Sequence, residues 1–339
     1  GHLHFKGPGF SRENYLKAAH KEDDFWRVLK GRSKEEVAAA LQRNLEHAVT
    51  DFVDHWVAKT GLRRVACAGG VFANVKLNQR IAEREGVERL YIYPNMSDGG
   101  LSAGAALLGG EARVRAPEAV YLGTRIEEKA AKAALEEAGI AYERPRDLPG
   151  RVAELLAQGL VVARAAGGME WGPRALGNRS ILYRPDDPSV NIWLNKHLKR
   201  TEFMPFAPIT LWEGAESRFI GLEKAKDAAR FMTVCFDVTP AMAEACPGVV
   251  HVDGTARPQL VTKEDNPEVH SILRAFGERH GEPTLINTSF NMHEEPIVGT
   301  ARDAVRAYQD GELDSLNLGP FVAIRPGAME RAKARMAEI

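Results

Sequence analysis

Two glycine pairs, each set between an apolar strand and a helix, constrain the fold of this chain more than any other feature. The run Val65–Ala68 meets Gly69-Gly70, and a helical pattern follows over about Asn74–Arg84, ended by Gly86. A second run, Leu90–Tyr93, passes through Pro94–Gly100 into a helix of small residues over Leu101–Leu108. Strands and helices alternating on connections this short predict a right-handed parallel unit. Ligands of such sheets lie beyond the carboxyl ends of the strands, where Gly69-Gly70 and Asp98-Gly99-Gly100 both fall. Upstream, Ser33 and Glu36 have capping-box spacing. Val37, Leu41, Leu45, Val49, Phe52, Val53 and Trp56 then make one stripe of a helix running to Lys59.

With 339 residues there is room for two cores, since single cores rarely grow past about 250–300 residues. Glycine and charge replace the apolar pattern over Gly109–Pro117, which predicts a boundary there. Residues 1–112 are read as a first domain, 118–326 as a second of mixed α/β character, and 327–339 as a tail. Helices are expected over Glu127–Ala138, Arg151–Gln158 and Val190–Leu198, and after Thr300. Strands are expected over Leu160–Ala165, Phe231–Asp237, Thr284–Asn287 and Leu318–Ile324.

The chemistry concentrates in Gly168–Ser180. Glu170, Arg174 and Arg179 stand there among Gly172, Pro173 and Gly177; Arg184, Lys196, Lys199 and Arg200 follow, then the apolar Phe203–Pro208. Guanidinium groups this dense, on a backbone tightened by glycine and proline, suit a phosphate or carboxylate held by forked hydrogen bonds. The plainer alternative is a surface turn stitched by ion pairs. Gly69 and Gly70 before Asn74 let backbone amides approach a nucleotide, or merely ease a tight turn. Asp98 either binds a cation that bridges phosphates or caps the helix after it.

Taken together these segments resemble the carbamoyltransferases of nodulation-factor and antibiotic biosynthesis. Ala68–Asn74 and Ser97–Gly100 look like the nucleotide-binding loops of their actin/hexokinase-like domain, which the tRNA threonylcarbamoyl transferases share. Met169–Ser180, Lys199–Pro208, His251–Arg257, Ile286–Asn291 and Glu295–Val298 resemble their C-terminal domain, itself similar to threonylcarbamoyl-AMP synthase. The implied fold is thus α/β, a partial actin-like lobe followed by a synthase-like mixed domain. The implied activity is ATP-dependent: carbamoyl-adenylate forms from carbamoyl phosphate and ATP, and the carbamoyl group passes to a hydroxyl of a small-molecule acceptor. A desolvated cationic pocket would hold the phosphates and shield the intermediate.

By this resemblance Arg174, Arg179, Lys199 and Arg200 hold phosphates as the catalytic cations. Glu170, Lys196, Arg257, Asn287 and Ser289 contact substrate, with Glu170 expected to orient an arginine. Gly69, Gly70, Asn74, Gly99 and Gly100 would cradle the nucleotide, and Asp98 would bind the divalent metal, iron or magnesium or manganese. Whole family members carry a further N-terminal stretch with a metal-binding histidine pair, and nothing before Ser33 supplies one. The chain is therefore expected to be a fragment or one of two subunits, its actin-like domain completed in cis or in trans; a homodimer is compatible with this. The family also often has arginine where Gly168 and Met204 stand, and glycine where Glu294 or Glu295 stands.

A formal net charge of −1 argues against nucleic acid and polybasic membrane surfaces as partners. Cys67, Cys235 and Cys246 have neither disulfide nor metal spacing, and no apolar run would span a bilayer, so a cytoplasmic protein is expected. Two other readings remain: a tRNA-modifying protein on the same folds, and a non-catalytic anion-binding subunit that needs a partner chain. Gly100–Gly104 matches a serine-hydrolase elbow around Ser102, but the small residues read better as a packed helix. His47, Asp51 and His55 recur at metal-like spacing on a face expected to be wet.

Overall fold

The computed structural model describes residues 30–109, 120–199 and 206–337. Arg200, Met204 and most of the expected 109–117 boundary lie outside the described residues. The chain opens with α1 (Lys34–Thr60), whose Ser33–Glu36 capping box forms and whose C-terminus stops at Gly61 with φ 70°. Then come β1 (Arg64–Cys67), α2 (Val75–Ala82), β2 (Arg89–Ile92) and α3 (Leu101–Gly109). β1 and β2 pair in parallel, as the alternation predicts. The stripe on α1 is narrower than expected. Leu45, Val49, Val53 and Val57 pack inward, whereas Leu41 and Phe52 are 54% and 42% exposed.

The second half continues with α4 (Glu128–Glu137), α5 (Leu148–Ala157), β3 (Val162–Ala165), β4 (Arg179–Tyr183), α6 (Val190–His197) and β5 (Ala207–Leu211). Next are β6 (Phe219–Ile220), α7 (Lys226–Ala229), β7 (Phe236–Val238), α8 (Pro240–Ala245), β8 (Thr255–Ala256) and β9 (Gln259–Val261). The chain ends with α9 (Pro267–His280), β10 (Thr284–Ser289), α10 (Ala301–Asp310), β11 (Ser315–Leu318), β12 (Phe321–Ile324) and α11 (Ala328–Ala337). Seven strands make a mixed sheet in the order β12-β11-β3-β4-β10-β5-β9; β6, β7 and β8 form a small antiparallel one.

Three expectations change. The run Phe231–Asp237 pairs as a strand only at its end, in β7; Phe231, Val234 and Cys235 before it are buried as irregular chain. Leu318–Ile324 is not one strand: Gly319, with φ 54°, and Pro320 turn it into the β11–β12 hairpin. The tail is largely the helix α11, which buries Ala328 and Ala332 and is tied down by Arg331 and Arg335 on the buried Asp314.

One face of the seven-stranded sheet is covered by α5 and α9, through Leu155, Leu156, Ile272 and Phe276 against Val162, Leu182 and Leu285. The other face, with Ile181, Tyr183 and Ile286, belongs to a cluster that runs on into Leu77, Ile81, Leu90 and Ile92 of the first half. The two halves therefore meet across a shared apolar seam. The three cysteines are free and buried. No helix among the described residues is long and apolar enough to cross a membrane.

Candidate functional site

The Gly168–Ser180 segment folds around its own acid. Glu170 Oε1 accepts from the backbone N–H groups of Leu176, Asn178 and Arg179 at 2.7, 2.8 and 3.1 Å. Three converging amides make an anion nest, and here the protein's own carboxylate fills it. Glu170 was expected to orient an arginine side chain; it orders the peptide backbone instead. The carbonyl of Leu176 accepts from Tyr121 Oη and Gln259 Nε2, and Asn287 Nδ2 donates to the Ala175 carbonyl at 3.1 Å. Asn287 also holds Gln259 Oε1 at 2.9 Å, so its amide is engaged inside the fold.

The two arginines of the loop part company. Arg179 is fully buried and donates to the carbonyls of Ala166, Asn178 and Thr124 at 2.9, 3.0 and 2.9 Å. Its guanidinium fastens the loop base, the reverse of the open phosphate clamp expected of it. Arg174 reaches the other way, across the seam, to the carbonyl of Ala73 at 3.4 Å, just after Gly69-Gly70. The same loop touches the second glycine turn: Trp171 packs edge-on against Tyr93 at 5.7 Å, and a Cβ on Gly172 would stand 3.2 Å from the Pro94 carbonyl.

Arg257 lies beside Arg174. Burial and then the neighbouring Arg174 charge hold its guanidinium down to about 10, and burial lowers Arg174 as well. The Nε groups of both are buried without a partner, and neither makes an ion pair among the described residues. Close by, Lys76 Nζ meets Asp253 Oδ2 at 2.8 Å. Burial opposes ionisation of Asp253, but the Lys76 and Thr255 hydrogen bonds hold its carboxyl down to about 2. Burial, reinforced by Arg257, keeps His251 below its ordinary value, so it is neutral near pH 7. Two guanidinium groups at a seam with no carboxylate partner among the described residues, beside a neutral histidine, have the charge and geometry that suit an anion.

The glycine turns lie together as expected. Gly69 N–H donates to the Met96 carbonyl at 2.6 Å, and a Cβ on Gly70 would lie 3.4 Å from Ser97 Oγ. Gly100 is held to glycine by Asn95, whose carbonyl would sit 2.3 Å from a Cβ there, whereas a Cβ at Gly99 would meet only the movable Asn95 side chain. Asn74 is committed elsewhere: its Oδ1 caps α2 at Leu77 N–H and its amide pairs with Gln42. Asp98 is exposed, and no set of three or more His, Cys, Asp or Glu residues among the described ones could hold a metal. The described residues do not by themselves make up a metal centre.

Lys196 and Lys199 stand exposed at the end of α6, next to the turn where His293 N–H donates to the Leu198 carbonyl. Ser289 Oγ donates to Asn291 Oδ1 at 2.5 Å on that same turn. Ser102 donates to the Gly99 carbonyl inside the first turn of α3, which is a helix start and not a nucleophile elbow. His47, Asp51 and His55 are exposed, as the wet face predicts.

Comparison with known proteins gives this geometry its context. Residues 153–325 match the family described as Carbamoyltransferase C-terminus, and residues 10–107 match Carbamoyltransferase N-terminus. The chain belongs to the carbamoyltransferase family. An uncharacterized protein of Methanocaldococcus jannaschii is 37% identical over 324 residues, 92% of this chain and 52% of that protein. Nodulation protein NolO of Bradyrhizobium diazoefficiens is 36% identical over 315 residues, covering 90% of this chain and 57% of that one. The chain thus spans about half the length of the curated relatives it matches.

Two positions at which the resemblance implies a different residue have a visible cause or consequence. A Cβ at Gly168 would fall 2.5 Å from the Tyr121 carbonyl, so the arginine implied there does not fit. Of Glu294 and Glu295, one of which the resemblance would make glycine, Glu294 takes φ 61°, the left-handed region that glycine favours. Lys76, Gln259 and Cys235 carry no signal in the sequence. Lys76 finds its partner 177 residues away, and no local pattern points to that.

Proposed function

We propose that this chain carries the adenylate-forming chemistry of an ATP-dependent carbamoyltransferase. Phosphate leaves carbamoyl phosphate by hydrolysis; the carbamate oxygen then attacks the α-phosphorus of ATP, and pyrophosphate departs. The resulting carbamoyl-adenylate would be passed to a hydroxyl of a small-molecule acceptor, with AMP as leaving group and the hydroxyl proton lost to solvent. The observation that carries the reading is the Arg174–Arg257 pair, without a carboxylate partner among the described residues, with Arg174 reaching the Ala73 carbonyl. Such a pair supplies fixed positive charge where a transferring phosphoryl group develops negative charge, in surroundings that exclude water. Lys199, just past the end of α6, would add a phosphate contact, as would Arg200 by the motif resemblance, and Ser289 a neutral one. The glycine turns would carry the nucleotide at the transfer site, completed by the remainder of the actin-like domain in cis or in trans. The described residues contribute one carboxylate, Asp98, toward a metal, so no step is routed through one.

The test is pyrophosphate release from ATP. It should require carbamoyl phosphate and fall about 10²–10³-fold in Arg174→Met and Arg257→Met, the loss typical of removing one transition-state donor. Release that ignores carbamoyl phosphate would end this reading.

A further inference from the structure

Of the buried acceptors left without a donor, Gln79 Oε1 belongs to a residue that lines a cleft apart from the Arg174–Arg257 site. Gln79 on α2 is 4% exposed; its Nε2 donates to Asp237 Oδ1 at 3.0 Å, while its Oε1 is buried with no partner. A carbonyl oxygen in that state is costly unless a donor arrives. Gln79 lines a cavity of about 230 Å³ between α2 and the Ile220–Asp237 stretch of the second half.

Its wall has two characters. Ala82, Ile220 and Phe236 give it an apolar side, Ile220 being 55% exposed at the rim. Glu83, Glu223 and Asp237 give it carboxylates. The facing cations are Lys224, which donates to the Arg84 carbonyl, and Arg80, which pairs with Glu83 and also feels Glu46 and Asp237. Three carboxylates against two cations leave this end negative. Cys235, also on the wall, feels Arg257, Lys76 and Arg174, so the opposite polarity begins at that thiol.

We propose that this cleft binds a small primary amine. Its ammonium donates to Gln79 Oε1 and Asp237, and its hydrocarbon part lies on Ala82, Ile220 and Phe236. The geometry supplies what such a ligand requires: an orphan acceptor, an adjoining carboxylate and an apolar floor. The site stands apart from the adenylate reading, and its failure would leave that reading untouched.

Cyclohexylamine is a suitable probe, with cyclohexanol and cyclohexanecarboxylate as matched controls, titrated by ligand-observed NMR on the whole chain. Cyclohexylamine should bind, the alcohol more weakly and the carboxylate not at all. Its affinity should fall about tenfold in Asp237→Asn, the loss expected of one charged hydrogen bond, and similarly in Gln79→Leu. Because Gln79→Leu alters the seam, melting curves of both variants without ligand check that they fold. If Gln79→Leu does not fold, Asp237→Asn alone decides. Equal binding of all three probes, no binding of the amine, or an amine affinity unchanged in Asp237→Asn would overturn the proposal and assign the orphan oxygen to a trapped water.

Discussion

Glu170, buried, and Arg257, partly buried, put a charge to two opposite uses. Glu170 neutralises the polarity of its own loop, with three N–H groups on one oxygen, whereas Arg257 is left without an opposite charge. Glu170→Gln keeps the shape and removes the charge, and should cost about 2–3 kcal/mol of stability by the usual worth of hydrogen bonds to an ionised group, read by urea unfolding. Arg257 works in the other direction. A base whose folded value, about 10, lies below its ordinary range binds fewer protons when folded. Its charge therefore opposes folding below about pH 10, and that penalty fades as pH rises above it. Arg257→Met should melt at a higher temperature than the parent in anion-free buffer, yet lose the stabilisation that added pyrophosphate gives the parent. A thermal-shift series with and without pyrophosphate reads both.

At the scale of elements, the seam hangs on α2. Its N-terminus carries the Asn74 cap and Lys76, its buried side Leu77 and Ile81, and its middle Gln79. The Lys76–Asp253 pair has a defined pH window. Asp253 holds its proton less tightly in the fold, at about 2 against an ordinary 3.8, so its contribution is complete above about pH 4 and is lost as pH falls through about 2. Acid unfolding of Asp253→Asn should show a shallower decline over that interval than the parent. The pair is partly exposed and worth no more than about 1 kcal/mol, so the difference will be small at neutral pH. Glycine turns are firmer constraints here: the Asn95 carbonyl admits no side chain at 100, which ties β2 to α3 through one conformation.

For the whole molecule, the main imbalance is between the halves. The seven-stranded sheet is covered on both faces, but β1 and β2 form a parallel pair beside a helix, α3, that buries none of its residues. Leu101 and Leu108 on that helix are 71% and 92% exposed. Parallel strands are normally covered on both sides, so this apolar surface favours association. Leu101→Gln combined with Leu108→Gln should leave the melting temperature within about 2 °C, as expected of surface positions, while reducing self-association in sedimentation velocity. Unchanged sedimentation would assign any oligomer to another surface.

Local pattern alone determined the element order of the first half, the caps of α1 and α10, and the place of both glycine turns, because capping, helical periodicity and left-handed turns act within a few residues. The motif resemblance pointed to the family through residues adjacent in the chain. What each motif residue does depended on neighbours far away in sequence. Arg179 and Arg174 look alike in the chain; one meets carbonyls inside the fold and the other crosses the seam. Likewise Asn74 turned from a nucleotide contact to a cap tied to Gln42, and Lys76 gained Asp253. Only tertiary structure decides such roles, because burial and charge pairing are set by which distant surfaces are brought together, and not by the order of residues along the chain.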